Sequence, residues 1–279
     1  MRIALVGEAL IDFAGAGNLA FQGHSGGSPL NSAVACARLG QPTGYLTQLS
    51  TDLFGEHLLN EMQANGIDTR FVTRSDDPST IAFVQRTPTT NRYAFYAAGS
   101  ADSRWQPTRF PELPESCRFV HFGSISLLQD PAAASITDFI ESNAGKRVIV
   151  FDPNVRLSLI KDLAVYRQRV QRWLKSTDLL KLSDEDVETL VPGVSLDEAG
   201  MKLLETGPKA VVITRGGEGA VLYRTDHAPM PIVAPKIKLA DTIGAGDTFT
   251  AGLSVALLNQ SVTEAVQLAS LTDAAWFEV

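Results

Sequence analysis

Val148-Ile-Val-Phe151 is an unbroken apolar run, and a run of this kind reads as a strand buried on both faces. Ile3–Val6, Phe119–Phe122 and Ala210–Thr214 share the pattern. Longer stretches of helical periodicity separate these runs. Strands that alternate with helices pack as a parallel sheet with helices on both sides. Leu30, Ala33, Val34 and Ala37 fall at the i, i+3, i+4, i+7 spacing of one helix face. Ser28 is then expected as N-cap, Pro29 as the first helical residue and Gly40 as the stop. A last helix is predicted from Ser261-Val-Thr-Glu264, a capping-box pattern followed by Ala265, Leu268 and Ala269.

One region departs from this rhythm. Ile81–Thr87 and Arg92–Ala97 alternate in polarity and are joined by Pro88-Thr-Thr-Asn91, which predicts a β-hairpin set beside the main sheet. Its second strand carries Tyr93, Phe95 and Tyr96. Alternation puts Phe95 and Tyr96 on opposite faces, where these rings line a ligand pocket, meet a second subunit or cover an apolar edge.

Composition narrows the function. A chain of 279 residues with 44% hydrophobic and 20% charged residues is globular and long enough for a wide core. Lys and Arg number 24 against 31 Asp and Glu, a net charge of −7 with no basic run, which excludes a nucleic-acid groove. Two cysteines, Cys36 and Cys117, far apart in sequence, point to a reducing, cytoplasmic setting. Glu8 and Asp12 interrupt the N-terminal apolar run, which reads as a strand and not a leader peptide. No apolar run approaches the roughly eighteen residues a membrane span needs.

Two strings carry chemistry. In Asp241-Thr-Ile-Gly-Ala-Gly-Asp247-Thr-Phe-Thr-Ala-Gly252 a glycine turn opens a helix with an apolar face of Phe249, Leu253, Ala256 and Leu257. Glycines let a ligand approach the backbone, and the unpaired first-turn N–H groups with the helix dipole suit a transferring phosphoryl group. Asp247 stands beside that anion site, ready to take a proton from an attacking hydroxyl. The second string, Gly26-Gly-Ser-Pro-Leu-Asn31, exposes backbone at Gly26 and Gly27 and offers the Asn31 amide. With Asp12 as a partner for vicinal hydroxyls, the set suits a polyol.

Competing motifs are weak. Gly23-His-Ser25-Gly-Gly27 imitates a hydrolase nucleophile elbow, but no buried strand precedes it. Gly15-Ala-Gly17-Asn-Leu-Ala20 imitates a dinucleotide fingerprint without a following helix pattern, and no P-loop string occurs. His24, His57, His121 and His227 lack zinc-ligand spacing.

Together the two strings resemble the signatures of the phosphofructokinase-B (ribokinase-like) carbohydrate kinases, over Ile3 to about Ala269. Gly7-Glu-Ala-Leu-Ile-Asp12, Ser100-Ala-Asp102, His121-Phe-Gly-Ser-Ile-Ser-Leu127, Asp152-Pro-Asn-Val-Arg156 and Lys181-Leu-Ser-Asp-Glu-Asp186 are similar to the fructokinase-like branch. The resemblance implies a three-layer α/β fold: one domain over residues 1–279, a mainly parallel sheet flanked by helices, and a small β lid from about 13–25 and 81–98. It implies Asp247 as catalytic base, Gly244, Ala245 and Gly246 as anion hole, and Asp12, Gly27 and Asn31 on the sugar. Asn154 and Arg156 would sit between sugar and phosphates, and Thr214, Gly216 and Gly219 along the nucleotide. Implied cofactors are ATP, Mg2+ and K+, and the lid would join two subunits into a homodimer.

The sequence departs from the family in three places. The metal-organising motif appears as Ser183-Asp-Glu-Asp186, which puts Asp186 in the magnesium shell. Ala97 follows the lid aromatics where many fructokinases carry Arg, which keeps 2-keto-3-deoxygluconate beside fructose as a substrate. The sequence ends at Trp276-Phe-Glu-Val279, where relatives continue with a further turn and helix that complete the adenine and potassium pockets. A sugar-binding protein with little catalysis is therefore the alternative of another class.

Overall fold

Alternate residues of the first strand, β1 (Ile3–Val6), enter different cores. Ile3 and Leu5 join one apolar cluster while Ala4 and Val6 join another, so the strand lies between two covering layers. This computed structural model describes residues 1–86, 91–235, 244–260, 263–267 and 269–270.

β1 leads into a hairpin, β2 (Leu10–Gly17) and β3 (Ala20–Gly26), then α1 (Ser28–Arg38). Next come β4 (Thr43–Ser50), α2 (Leu53–Ala64), β5 (Val72–Ser75), β6 (Thr80–Arg86) and β7 (Asn91–Tyr96). The middle of the chain supplies β8 (Phe119–Gly123), α3 (Ala132–Asn143), β9 (Val148–Asp152), α4 (Leu163–Leu174) and β10 (Leu179–Ser183). α5 (Asp184–Leu190), α6 (Leu196–Leu204), β11 (Ala210–Thr214), β12 (Ala220–Arg224), β13 (Met230–Ile232) and α7 (Ala245–Ala256) follow. Residues 263–267 and 269–270 are also helical, while the start of the expected capping box, at 261–262, lies outside the described residues.

Nine strands form the large sheet in the order β13-β12-β11-β10-β9-β8-β1-β4-β5. The strands from β5 to β11 run parallel, as the buried apolar runs predict. β12 and β13 are antiparallel additions at one edge. The connection from β11 to β12 is too short for a crossover helix, so the chain can only turn back on itself. α1, α2 and α7 cover one face through Leu30, Leu58, Met62 and Phe249. α3, α4 and α6 cover the other through Phe139, Ile140, Trp173 and Leu203.

A separate four-stranded sheet has the order β3-β2-β6-β7. The expected hairpin is present, with Ile81 opposite Tyr96. Most of its turn, residues 87–90, lies outside the described residues. On this sheet Phe83 stacks on Phe13 and meets the edges of Phe21 and Tyr96.

The start of α1 corrects the capping expectation. Gly27, at φ 105°, is the N-cap, Ser28 is already helical, and no side chain caps the helix. The Ser28 hydroxyl has a different partner, described below. Gly40 ends the helix at φ 78°, the left-handed geometry glycine adopts without strain.

Candidate active site

β1 sits where the sheet order reverses, with β4 on one side and β8 on the other. In an open parallel sheet the crevice at such a point, beyond the carboxyl ends of the strands, is where ligands bind. Here that crevice is a cleft of about 220 Å³. Glu8 and Asp12 enter it after β1, Ser124 after β8, Asn154 and Arg156 after β9, and Lys181 from β10. The N-termini of α1 and α7 close it with Gly27, Ser28 and Asn31 from one and Gly244, Gly246 and Asp247 from the other.

α7 begins on Gly244 in the left-handed conformation, φ 80° and ψ 0°. The amides of the first turn have no helical acceptor and open an anion site. Asp247, the third residue of the helix, is buried. Its Oδ1 accepts a hydrogen bond from Ser28 Oγ at 2.6 Å and its Oδ2 one from Asn31 Nδ2 at 2.8 Å. Ser32 Oγ donates to the Asp247 carbonyl at 3.1 Å, which ties the two helices at their starts. Burial pushes the carboxyl above its ordinary range, while the Ser28 and Asn31 hydrogen bonds draw it down. A carboxylate so poised favours taking a proton more than a solvated one does. Asn31 therefore orients this acid, where the sequence placed it only on the sugar.

Asp12 lies on β2, opposite His24 of β3. A Cβ on Gly26 would fall 2.1 Å from Asp12 Oδ2, so only glycine leaves room for that carboxylate. Gly26 thus supports Asp12 from behind, while Gly27 lines the cleft directly. Asp12 is raised to about 6 by burial, eased by the Arg156 charge and increased by that of Asp247. Phe95 lines the cleft from the small sheet. Tyr96 does not: it faces the other way, 65% exposed, with its ring edge-on to Phe83.

Two buried charges in the cleft went unread in the sequence. Lys181 Nζ lies 3.0 Å from Asp152 Oδ2, and Thr250 Oγ1 of α7 donates to the same oxygen at 2.9 Å. Glu8 Oε2 accepts from the Ser126 amide at 3.1 Å, and burial raises its carboxyl to about 7. A signal existed for both, since a charge amid apolar residues (Leu179-Leu-Lys-Leu182, Ala4-Leu-Val-Gly-Glu8) is costly unless it is used.

Residues 2–275 match the pfkB family carbohydrate kinases. The chain belongs to this family. A fructokinase of Rhizobium leguminosarum bv. trifolii is 36% identical over 98% of this chain and 85% of its own length. An uncharacterized sugar kinase of Pyrococcus horikoshii, solved in complex with ATP, superposes with a TM-score of 0.85 at 26% identity, covering 99% of this chain and 92% of its own. A fructokinase of Xylella fastidiosa with bound ATP shares the fold, with a TM-score of 0.90 at 24% identity over 99% and 92% of the two chains.

In this carbohydrate kinase the remaining expected residues have visible structural roles. Asp186 accepts from the Ser183 amide at 2.9 Å and the Val155 amide at 2.8 Å, one bond to each oxygen. A carboxylate engaged in this way caps a helix, and each oxygen keeps one further lone pair. No three or more His, Cys, Asp or Glu cluster for a metal among the described residues. Thr214 Oγ1 donates to the Leu182 carbonyl at 3.4 Å, and Gly219 passes so close to Ile232 that a Cβ would fall 2.0 Å from its carbonyl oxygen. Gly216 adopts φ 49° in the turn between them, and none of the three lines the cleft. The expected adenine and potassium pockets involve the end of the chain, and residues 271–279 lie outside the described ones.

Proposed function

We propose that this carbohydrate kinase transfers the terminal phosphoryl group of Mg-ATP to the primary hydroxyl of fructose, giving fructose 6-phosphate. The observation that carries the reading is Asp247, buried at the glycine-opened start of α7 and facing a cleft that Asp12 and Arg156 line with it. The similarity to a fructokinase at 36% identity favours fructose among sugars, and the ATP complex of the 26% identical sugar kinase favours ATP as donor.

The sugar hydroxyl gives its proton to Asp247 as its oxygen attacks the terminal phosphorus, and the bond from phosphorus to the leaving diphosphate breaks. The amides of Ala245 and Gly246 hold the charge on the transferring oxygens. Magnesium arrives as part of the nucleotide substrate and keeps most of its waters, so it needs few protein carboxylates. Asp12 and Gly27 hold the sugar, with Phe95 closing over it. Asn154 and Arg156 lie between sugar and phosphates, and the turn around Gly216 borders the nucleotide.

The small sheet acts as the lid of one catalytic unit and as a contact between two subunits. Leu19, Phe21 and Tyr96 are exposed on it at 89%, 40% and 65%, an apolar surface that a second copy would cover. Sedimentation velocity should return a dimer. Among the described residues no helix is long and apolar enough to cross a membrane. Both cysteines are free and buried, which fits a reducing cytoplasm.

A coupled ADP-release assay with fructose, 2-keto-3-deoxygluconate, ribose and glucose tests the reading. Fructose should give the highest kcat/KM, and Asp12→Ala should raise the KM for fructose with kcat little changed. A preference for 2-keto-3-deoxygluconate would overturn the substrate, and sugar binding without turnover would overturn the activity.

A further inference from the structure

Lys181 is the third residue of β10, a strand flanked on both sides by β9 and β11 in the middle of the sheet. Its side chain is 5% exposed and that of Asp152 is 1% exposed. An ion pair this deep gives little net stability, because desolvating two charges offsets their attraction, and apolar residues of similar size commonly do as well. Stability alone therefore does not account for the pair.

The geometry gives the ammonium a direction. Asp152 Oδ2 takes one of its three N–H groups, and no other acceptor for Nζ occurs among the described residues. The ammonium lines the cleft beside Gly244, Gly246 and Asp247. A Cβ on Gly246 would fall 2.8 Å from Nζ, so the charge lies directly against the first turn of α7. Thr250 completes the arrangement. Its hydroxyl lies 2.9 Å from both Asp152 Oδ2 and the Gly246 carbonyl, linking the lysine's partner to the anion hole. Burial alone would discharge the amine, but the charges of Asp152, Asp186 and Asp247 hold it protonated.

We propose that Lys181 is a catalytic residue whose ammonium, positioned by Asp152 and Thr250, binds the terminal phosphoryl group of the nucleotide and stabilises its charge during transfer. It keeps its proton throughout, while Asp247 takes the proton of the hydroxyl and the diphosphate leaves with the electrons of the broken P–O bond. The backbone amides of α7 approach the phosphoryl group from one side, and the ammonium adds a full charge from the sheet side.

The inference rests on the kinase reading above. A wild-type protein that neither binds Mg-ATP nor turns over any sugar would overturn both. Lys181→Met alone would leave Asp152 buried and unpaired, so the test uses the pair-neutral variant Lys181→Met/Asp152→Asn. Its melting temperature should stay near that of the wild type. Its kcat should fall about 10²–10³-fold, the range for losing one preorganised donor to transition-state charge, with the KM for the sugar little changed. Lys181→Arg, which returns a charge beside Asp152, should recover part of that rate. A purely structural pair predicts a stable double variant with kcat within about threefold of wild type, and that result overturns the proposal while leaving the kinase reading intact. Calorimetry on the wild type gives a second reading that depends on no variant. A non-hydrolysable Mg-triphosphate analogue should bind about tenfold or more tighter than Mg-ADP, and equal affinities would overturn the contact.

Discussion

Asp186 and Asp247 occupy the same position in two helices, the third residue of α5 and of α7, and both are buried. What precedes them differs. α5 starts on Ser183 in extended conformation, and Asp186 closes a capping box with it. α7 starts on Gly244 in the left-handed conformation, which offers no side chain to close a box. The Asp186 oxygens both meet backbone amides, whereas those of Asp247 meet the side chains of Ser28 and Asn31 from another helix. An identical acid thus turns to backbone amides where the N-cap residue reciprocates, and to side chains of another helix, beside the cleft, where the N-cap is glycine; on the proposed function the second is the reactive one.

The sharpest way to break the contrast is Asp247→Asn. It keeps the shape and the Ser28 hydrogen bond but cannot accept a proton at neutral pH. Its kcat should fall about 10²–10⁴-fold, the range for losing a positioned base. Thermal melting should show equal or greater stability, because a buried charge is removed. Near-wild-type turnover would make the two acids equivalent after all.

This contrast also marks how far the sequence could be read. Ile3–Val6, Phe119–Phe122, Val148–Phe151 and Ala210–Thr214 were legible as strands because burial on both faces demands uninterrupted apolar residues. β4 (Thr43-Gly-Tyr-Leu-Thr-Gln-Leu-Ser50) escaped notice because its polar residues break the run, although Thr43, Thr47 and Ser50 are buried. The glycine turn before Asp247 was visible because backbone geometry is written locally. Its partners were not, since Asn31 is 216 residues away in the chain. Lys181 and Asp152 each open a family-like string, but their pairing was hidden for the same reason until the sheet sets them side by side.

Glu8, which lines the cleft with Asp247, extends the comparison to a third buried acid. Its folded pKa of about 7 lies above the ordinary 4.5, so this side chain binds more protons in the folded protein than in the unfolded chain across that interval. The contribution of Glu8 to stability then falls as pH rises from about 4.5 to about 7, and its loss is complete above that window, while His121, lowered to about 3 by burial, acts in the opposite sense. Glu8→Gln keeps an acceptor for the Ser126 amide and removes the titration. It should match the wild type near pH 4 and gain up to about 3 kcal/mol at pH 8, read from denaturant melts at both pH values. A constant difference across the range would mean that the penalty of burial is relieved by other means.

A smaller effect is expected from Asp186→Ala. Loss of the capping box and of the acceptor for the Val155 amide should cost about 2 kcal/mol of stability. Turnover should stay within about threefold of wild type when assayed well below the melting temperature. A collapse of kcat with unchanged melting would reassign Asp186 to the magnesium shell.

The finest test of the contrast is Asn31→Ala, because the sequence and the structure assign that side chain different duties. A residue that only binds sugar hydroxyls contributes equally to ground and transition states, so its loss raises KM and leaves kcat alone. A residue that donates to the base at 2.8 Å fixes where that base points, and its loss lowers kcat. Ser28 still holds the other oxygen, so the carboxylate stays near its place, and the fall in kcat should be only about tenfold, or about 1.4 kcal/mol. The hydrogen bond also lowers the Asp247 carboxyl, so without it the acid limb of the kcat–pH profile should move to higher pH. Measuring kcat, KM for the sugar and that limb on one preparation separates the duties. A raised KM with an unmoved limb would return Asn31 to the sugar alone and leave Asp247 oriented by Ser28.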